Sequence, residues 1–337
     1  MPDVIIVGAG PAGLSAAKVL AEAGKDVIVI EKNKIPGLKV CAGGLTKIDF
    51  IAGMPKSILE REFNSVLFDL EGQKLFISKS SLLHTVRRTS LGAWQAKLAE
   101  KAGAKIKYGI VVTEIGRNYV KAANKKIKFR YLIGADGSKS IVRKYLGLGS
   151  DKIGIGMEYA VKGNFKELEV VFNRKLFGTF YAWVFPYKDL AMIGTGGNPK
   201  EISISKLKKN LDMWCQSRNY EIKEKNFAAA PINFSYKGFE FNGIFLAGDA
   251  AGFTSALTGE GIKSAVISGA EVARKILDSD YDCPEIKELL RIKNIQENIL
   301  EMIKNHPYLT RFGYLILQLI VKIPKLKHKF LKAAGLR

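Results

Sequence analysis

The stretch from Met1 to Glu31 constrains the chain most. Val4-Ile5-Ile6-Val7 is an apolar strand, and Gly8-Ala9-Gly10-Pro11-Ala12-Gly13 follows it directly. Small and apolar residues from Leu14 to Ala23 then predict a helix stopped by Gly24, and Asp26-Val27-Ile28-Val29-Ile30 predicts a second strand ending on the acid Glu31. Strand, glycine turn, helix, strand and acid in this order form a dinucleotide-binding fingerprint. Gly8 permits the tight turn, Gly10 lets backbone approach a pyrophosphate, and Gly13 lets the helix lie close on the sheet. The N–H groups at the helix start face the phosphates, and Glu31 accepts the ribose hydroxyls.

Two further strand-to-turn elements repeat the pattern. Tyr119 to Ile133 runs into Gly134-Ala135-Asp136-Gly137-Ser138 and a short helix carrying Arg143. Ile244 to Ala247 delivers Gly248-Asp249-Ala250-Ala251-Gly252, then Thr258-Gly259-Glu260-Gly261-Ile262 and a helix to Leu277. A nicotinamide dinucleotide would need only the first turn, so three turns around residues 8, 136 and 249 suggest a larger nucleotide site. Asp249 can hydrogen-bond a sugar-like chain, and the N–H groups of the Gly259 to Ile262 turn can stabilise negative charge on a ring.

Between these elements, Lys32 to Leu45 is too glycine-rich for a helix or strand and reads as a loop. It passes close to a planar ring or is an ordinary surface loop with an incidental thiol, Cys41. Phe63 to Ser78 suggests a hairpin turning at Glu71-Gly72. Arg87 and Arg88 precede a helix, Leu91 to Ala102, capped by Thr89 or Ser90; they are phosphate contacts or a solvated basic turn. Lys105 to Val112 reads as a strand. From Gly149 to Asn233 the texture is short β-like runs around one helix, Ser203 to Arg218. There the alternation of Phe180 to Tyr187 puts Tyr181, Trp183 and Phe185 on one strand face, as core or as an aromatic wall for a long apolar ligand.

The 337 residues, 47% of them apolar, suffice for a large α/β domain with an inserted second lobe. Lys and Arg exceed Asp and Glu by 53 to 32, a net charge of +21, which favours anionic partners. No nucleic-acid signature accompanies the charge, so a membrane surface or phosphorylated substrate ranks above nucleic acid. The three cysteines, Cys41, Cys215 and Cys283, suit a reducing interior, and His84, His306 and His328 are too scattered for a metal site. The N-terminus enters a strand by residue 4 with no cleavage signal, and no run approaches a membrane span, so a cytoplasmic chain is expected. A charged helix over Pro284 to Asn305 precedes Tyr314 to Val321 and Lys322, Lys325, Lys327, Lys329 and Lys332. That apolar-basic tail lies in a membrane interface or docks on the inserted lobe.

Gly8 to Gly13 with Glu31, Gly134-Ala135-Asp136-Gly137 with Arg143, and Gly248-Asp249 together resemble the FAD-binding set of the p-hydroxybenzoate hydroxylase class. Cys41-Ala42-Gly43-Gly44-Leu45, Tyr181-Ala182-Trp183-Val184-Phe185-Pro186 and Gly248 to Gly252 with Gly259 to Ile262 resemble, within it, the geranylgeranyl reductase family. The resemblance spans roughly residues 1 to 275. It departs at Ser255-Ala256-Leu257, where the family usually has a proline, and at Thr89-Ser90-Leu91-Gly92, which lacks the usual Phe-Asp pair. Gly252 stands where the hydroxylases usually have His.

The resemblance implies a Rossmann-like FAD-binding domain over 1–62, 84–148 and 236–282, an antiparallel-sheet substrate domain over 63–83 and 149–235, and C-terminal helices over 283–337. It implies FAD held by Gly8, Gly10, Ala12, Gly13, Glu31, Lys32, Arg88, Asp136, Gly248, Asp249, Gly259, Gly261 and Ile262. Tyr181, Trp183, Phe185 and Pro186 would line a tunnel for an isoprenoid tail. Cys41, Gly43 and Gly44 would border the ring as candidate catalytic positions, with no metal. The implied activity is saturation of C=C bonds in geranylgeranyl chains of an archaeal-type lipid or a prenyl diphosphate, at the inner face of the cell membrane. An external electron donor, NAD(P)H, ferredoxin or another, is required. Cys41, a water and the flavin itself all stay open as proton source. The alternatives are a flavin monooxygenase or halogenase, and an electron-transfer flavoprotein serving a quinone or redox partner.

Overall fold

The computed structural model describes residues 1–46 and 53–306. The opening pattern folds as Val4–Val7, the helix Pro11–Glu22 and Val27–Ile30. The two strands pair in parallel, Val4 against Val27, and Val4 also faces Tyr131 on the other side. All four residues of Val4–Val7 are buried, as expected of a parallel strand covered on both faces. The full sheet runs Glu240–Phe241, Ile244–Leu246, Tyr131–Gly134, Val4–Val7, Val27–Ile30, Lys105–Lys107, parallel except at its first edge. The three glycine turns therefore leave neighbouring strands at the same end of one sheet, where a ligand crevice forms in open α/β sheets.

The helix Ile262–Leu277 packs across Pro11–Glu22. A methyl group at Gly269 would stand 2.8 Å from the Ala12 carbonyl carbon, so the glycine brings the two helices into backbone contact. Their N-termini thereby open on the same crevice.

The second sheet has eight strands, in the order Phe227–Asn233, Ile153–Lys162, Leu190–Gly197, Ala182–Pro186, Glu169–Phe172, Leu59–Leu70, Gln73–Val86, Gly44–Leu45. Its period-two alternation separates two faces. Met157, Tyr159, Val184 and Ile193 join a core with the helix Ile204–Ser217. The intervening positions, among them Gly156, Glu158, Trp183 and Phe185, face a cavity between this sheet and the nucleotide turns.

The structure departs from the sequence reading in several places. Gly44–Leu45, expected as loop, adds a short strand opposite Thr85 and His84. The hairpin turns at Glu71-Gly72 but runs from Leu59 to Val86, so Thr85 and Val86 are strand residues. The next helix begins at Arg88, not Leu91, and no side chain caps it; Thr89 and Ser90 lie inside it. The strands expected over Lys105 to Val112 and Tyr119 to Ile133 are broken by turns into shorter ones, three of which form a separate small sheet, Val112–Ile115, Tyr119–Ala122 and Lys125–Lys128. A short helix, Arg174–Phe177, capped by the Asn173 side chain, interrupts the inserted region. The Tyr314 to Lys332 tail lies outside the described residues.

Candidate functional site

The first turn is shaped by backbone contact. Gly8, at φ +101°, has the Asp136 Cα where a methyl group would reach to 2.9 Å, and a methyl group at Gly13 would overlap the Gly8 carbonyl. Gly10 is different: the nearest atom to a methyl group there is the Ala135 oxygen at 3.9 Å. Protein fills the space beside Gly8 and Gly13 but leaves that beside Gly10 to the cavity, as a pyrophosphate requires. The helix it opens has no side-chain cap, so its first N–H groups are not taken by a side chain. Glu31 is buried; Oε2 accepts the Ala9 N–H at 2.7 Å and Oε1 the Asn33 N–H at 2.8 Å, which fixes the carboxylate at the strand end facing the cavity.

The third turn is held by two buried groups. Arg143, 2% exposed, donates to the carbonyls of Ala250 at 3.1 Å, Gly149 at 2.8 Å and Ser235 at 2.7 Å, so this arginine braces the Gly248 turn from behind. The Asp249 carboxylate accepts from Lys39 Nζ and Thr254 Oγ1 at 2.5 Å and from Ser138 Oγ at 3.1 Å. Burial pushes this carboxyl up, but Lys39 and the two hydroxyls outweigh it and hold it below the ordinary carboxylate range. The helix Ile262–Leu277 is likewise uncapped at Gly261, and Gly259, Gly261 and Ile262 all face the cavity. Asp136 Oδ2 accepts the Ile141 N–H at 2.7 Å and so starts the short helix, while Oδ1 has no partner. Open space at Gly10, two uncapped helix starts and two fixed carboxylates fit a dinucleotide such as FAD.

The paired arginines divide. Arg87 pairs with Glu60 at 2.8 Å and with Asp189, away from the cavity. Arg88 lines the cavity, with Nη1 4.0 Å from Cys41 Sγ and Nε unpartnered. Gly43 N–H also donates to Cys41 Sγ, at 3.4 Å. Gly43, at φ +71°, lies against the Tyr187 hydroxyl and the Val86 carbonyl, and Gly44 against the ring of Phe185. The paired glycines thus seat the Cys41 loop flush on the aromatic strand.

Tyr181, Trp183, Phe185, Cys41, Gly43 and Gly44 all line one cavity with Gly8, Gly10, Ala12, Glu31, Lys32, Arg88, Asp136, Gly248 and Asp249. Tyr181 donates to the Thr258 carbonyl, tying the aromatic strand to the Gly259 turn. Gly13 and Pro186 lie just behind the lining, Gly13 against the Gly8 turn and Pro186 with its carbonyl accepting from Thr85 Oγ1 at 2.9 Å. Lys39 and Glu158 belong to the site without having been singled out from sequence. Glu158 is 2% exposed, and its Oε1 accepts the Cys41 N–H at 2.8 Å. Lys39 sits in the glycine-rich loop among many lysines, and Glu158 in an ordinary strand, so only tertiary pairing distinguishes them. Among the described residues no cluster of three His, Cys, Asp or Glu can hold a metal ion, and no helix is long and apolar enough to cross a membrane.

Comparison with known proteins adds the family. The profile described as "FAD binding domain" matches residues 1–47 and 111–279. The digeranylgeranylglycerophospholipid reductase of Methanococcus vannielii is 30% identical over 321 residues, covering 83% of this chain and 78% of that protein. The enzyme of the same name from Methanocaldococcus jannaschii is 28% identical over 329 residues, with 86% and 81% covered. The crystal structure of a geranylgeranyl bacteriochlorophyll reductase-like protein from Thermoplasma acidophilum superposes with a TM-score of 0.77 at 22% identity, over 90% of this chain and 87% of that one; this likeness speaks to fold.

Proposed function

The chain belongs to the FAD-dependent geranylgeranyl reductase family, and on that premise we propose that it saturates C=C bonds of geranylgeranyl chains on an archaeal-type ether lipid or a prenyl diphosphate. The observation that carries this reading is the continuity of the cavity. The nucleotide turns form one end, and an apolar passage leads from them past Trp183, Phe68 and Phe172 to Ile299 and Ile303 on the helix Pro284–Asn305. At about 1220 Å³ it exceeds the roughly 300–1,000 Å³ of a pocket for one ligand, leaving room for a dinucleotide and a long chain together.

Reduced FAD, when bound, supplies the hydride for one alkene carbon. An isolated alkene is a poor hydride acceptor, so the protein must place it and keep water away. The aromatic wall of Tyr181, Trp183 and Phe185 holds the chain, and the Tyr181 bond to Thr258 fixes that wall to the turn facing the flavin ring. Gly252 supports reduction over hydroxylation: a methyl group there would stand 2.5 Å from Ser235 backbone, so no histidine fits.

The excess of basic residues and the apolar-basic sequence from Tyr314 to Lys332 support work at an anionic membrane surface, with electrons from an external donor such as NAD(P)H or ferredoxin. The test is mass spectrometry of geranylgeranyl diphosphate and of a geranylgeranylated glycerolipid after anaerobic incubation with reduced, FAD-loaded protein. Stepwise gain of hydrogen pairs is the expected result. No mass gain on either substrate, in protein that binds FAD and is reduced normally, overturns the reading.

A further inference from the structure

We propose that Glu158 is the general acid of the site, its carboxyl group supplying the proton that completes saturation of the alkene. The inference rests on the reductase reading and deepens it. Glu158 occupies the middle of the strand Ile153–Lys162, on the cavity side. A buried carboxyl in the middle of a central strand is costly unless paired, and Glu158 forms no ion pair among the described residues. Oε1 accepts the Cys41 N–H, while Oε2 and the neighbouring Trp183 Nε1 attract each other without reaching full hydrogen-bond geometry.

Space for this carboxyl is built into the sheet. Gly194 sits directly opposite Glu158 on one side and Trp183 on the other. A methyl group there would stand 2.7 Å from Glu158 Cβ and 2.6 Å from Trp183 Cζ2, so glycine alone lets acid and indole stand side by side in the cavity wall.

The groups facing the carboxyl are Cys41 from the glycine loop, Arg88 from the next helix, and Trp183 and Tyr187 from the aromatic strand. Burial outweighs the pull of the Cys41 N–H, Trp183 and Arg88 and pushes the group up to about 7. A carboxyl so poised is protonated in an appreciable fraction near neutral pH and can still release its proton, the condition for a general acid. Of the other acids in the cavity wall, Glu31, Asp136 and Asp249 are bound to donors at the nucleotide turns; burial raises Glu260 as well, but Thr46 Oγ1 donates to it at 3.2 Å and Lys263 favours its ionised form, so it is less suited.

The step balances as follows. One alkene carbon gains a hydride, with reduced flavin as the two-electron reductant. The π electrons form a bond at the other carbon to the Glu158 proton, and the O–H pair stays on the carboxylate, which regains a proton from water between turnovers.

The test uses FAD-loaded, full-length protein. Glu158→Gln keeps an oxygen to accept the Cys41 N–H but has no acidic proton. FAD binding and reduction by dithionite are expected to match the parent, while reoxidation of the reduced protein by geranylgeranyl diphosphate slows by about 100-fold or more, with Glu158→Asp recovering part of the loss. The parent rate should fall as pH rises through about 7, and the residual Glu158→Gln rate should lack that limb. A readout independent of turnover is the infrared band of a protonated carboxyl, expected in the parent at about pH 6, lost by about pH 8, and missing from Glu158→Gln. A parental rate in Glu158→Gln, or no band assignable to this residue, overturns the inference alone. A parent protein that reduces no prenyl substrate overturns the reductase reading with it, whatever the band shows.

Discussion

Gly44 lies so close to Phe185 that a methyl group on its Cα would stand 2.6 Å from the ring carbon Cε1. The contact joins the Cys41 loop to the wall of the cavity, since Gly44 also pairs with Thr85 in the eight-stranded sheet. Gly44→Ala must push the ring aside, and overpacking of this kind costs about 1–3 kcal/mol. Urea unfolding should show that loss. Adding Phe185→Leu should recover part of it, because the two residues are in contact; simple additivity in the double variant would mean that the contact is relieved elsewhere.

The second prediction concerns the cofactor. Both Glu31 oxygens already hold backbone N–H groups of the first turn and its neighbour, so the carboxylate is fixed before a ribose arrives. Glu31→Gln keeps one acceptor but loses the charge-assisted bonds, each worth about 1.5–3 kcal/mol. FAD affinity, followed by quenching of flavin fluorescence, should drop by about tenfold to a hundredfold. An unchanged affinity would take Glu31 out of the cofactor site.

Glu158 gives stability a pH dependence whose sign is fixed. Its folded value is raised from 4.5 to about 7, so the native state binds more protons than the unfolded chain between those values. The contribution is full below about pH 4.5 and is lost as pH rises through about 7. The difference amounts to about 3 kcal/mol at most. Glu158→Gln should therefore gain stability over the parent at about pH 8 and little or none at about pH 4.5, in urea titrations at both. An equal difference at the two pH values would show that the carboxyl does not change charge in this range.

What the sequence made legible was what local chemistry dictates. The Gly8 to Gly13 turn, the strand before it and the acid after it follow from backbone geometry and hydrophobic period. The helix Pro284–Asn305 likewise follows from its pattern. Arg88 was visible but its helix start was not, because no capping side chain marks it. The glycines of Lys32 to Leu45 suggested either a loop against a planar ring at the nucleotide or an ordinary surface loop; that Gly43 and Gly44 pack against Tyr187 and Phe185 was not legible, because those partners lie far along the chain. Arg143 drew notice beside a nucleotide turn, yet its carbonyl partners come from three separate segments. Glu158 carried no local mark at all, since strand alternation places an acid there as readily on a solvent face. Its surroundings, Gly194 and Trp183 from the sheet and Cys41 from the glycine loop, are brought together only by the tertiary fold.

The far end of the cavity makes the final prediction. Ile299, Met302 and Ile303 stand three and four residues apart on the helix Pro284–Asn305, so they share the face turned to the passage. If the chain is threaded from the flavin end, its last isoprene unit meets these residues. Ile303→Trp would fill that end without touching the nucleotide turns, so FAD affinity should not change. The ratio of kcat/KM for geranylgeranyl over farnesyl diphosphate should fall by about tenfold or more, because only the longer chain loses its place. An equal loss for both substrates would mean that the chain lies elsewhere in the cavity, and a loss for neither would mean that it never reaches this helix.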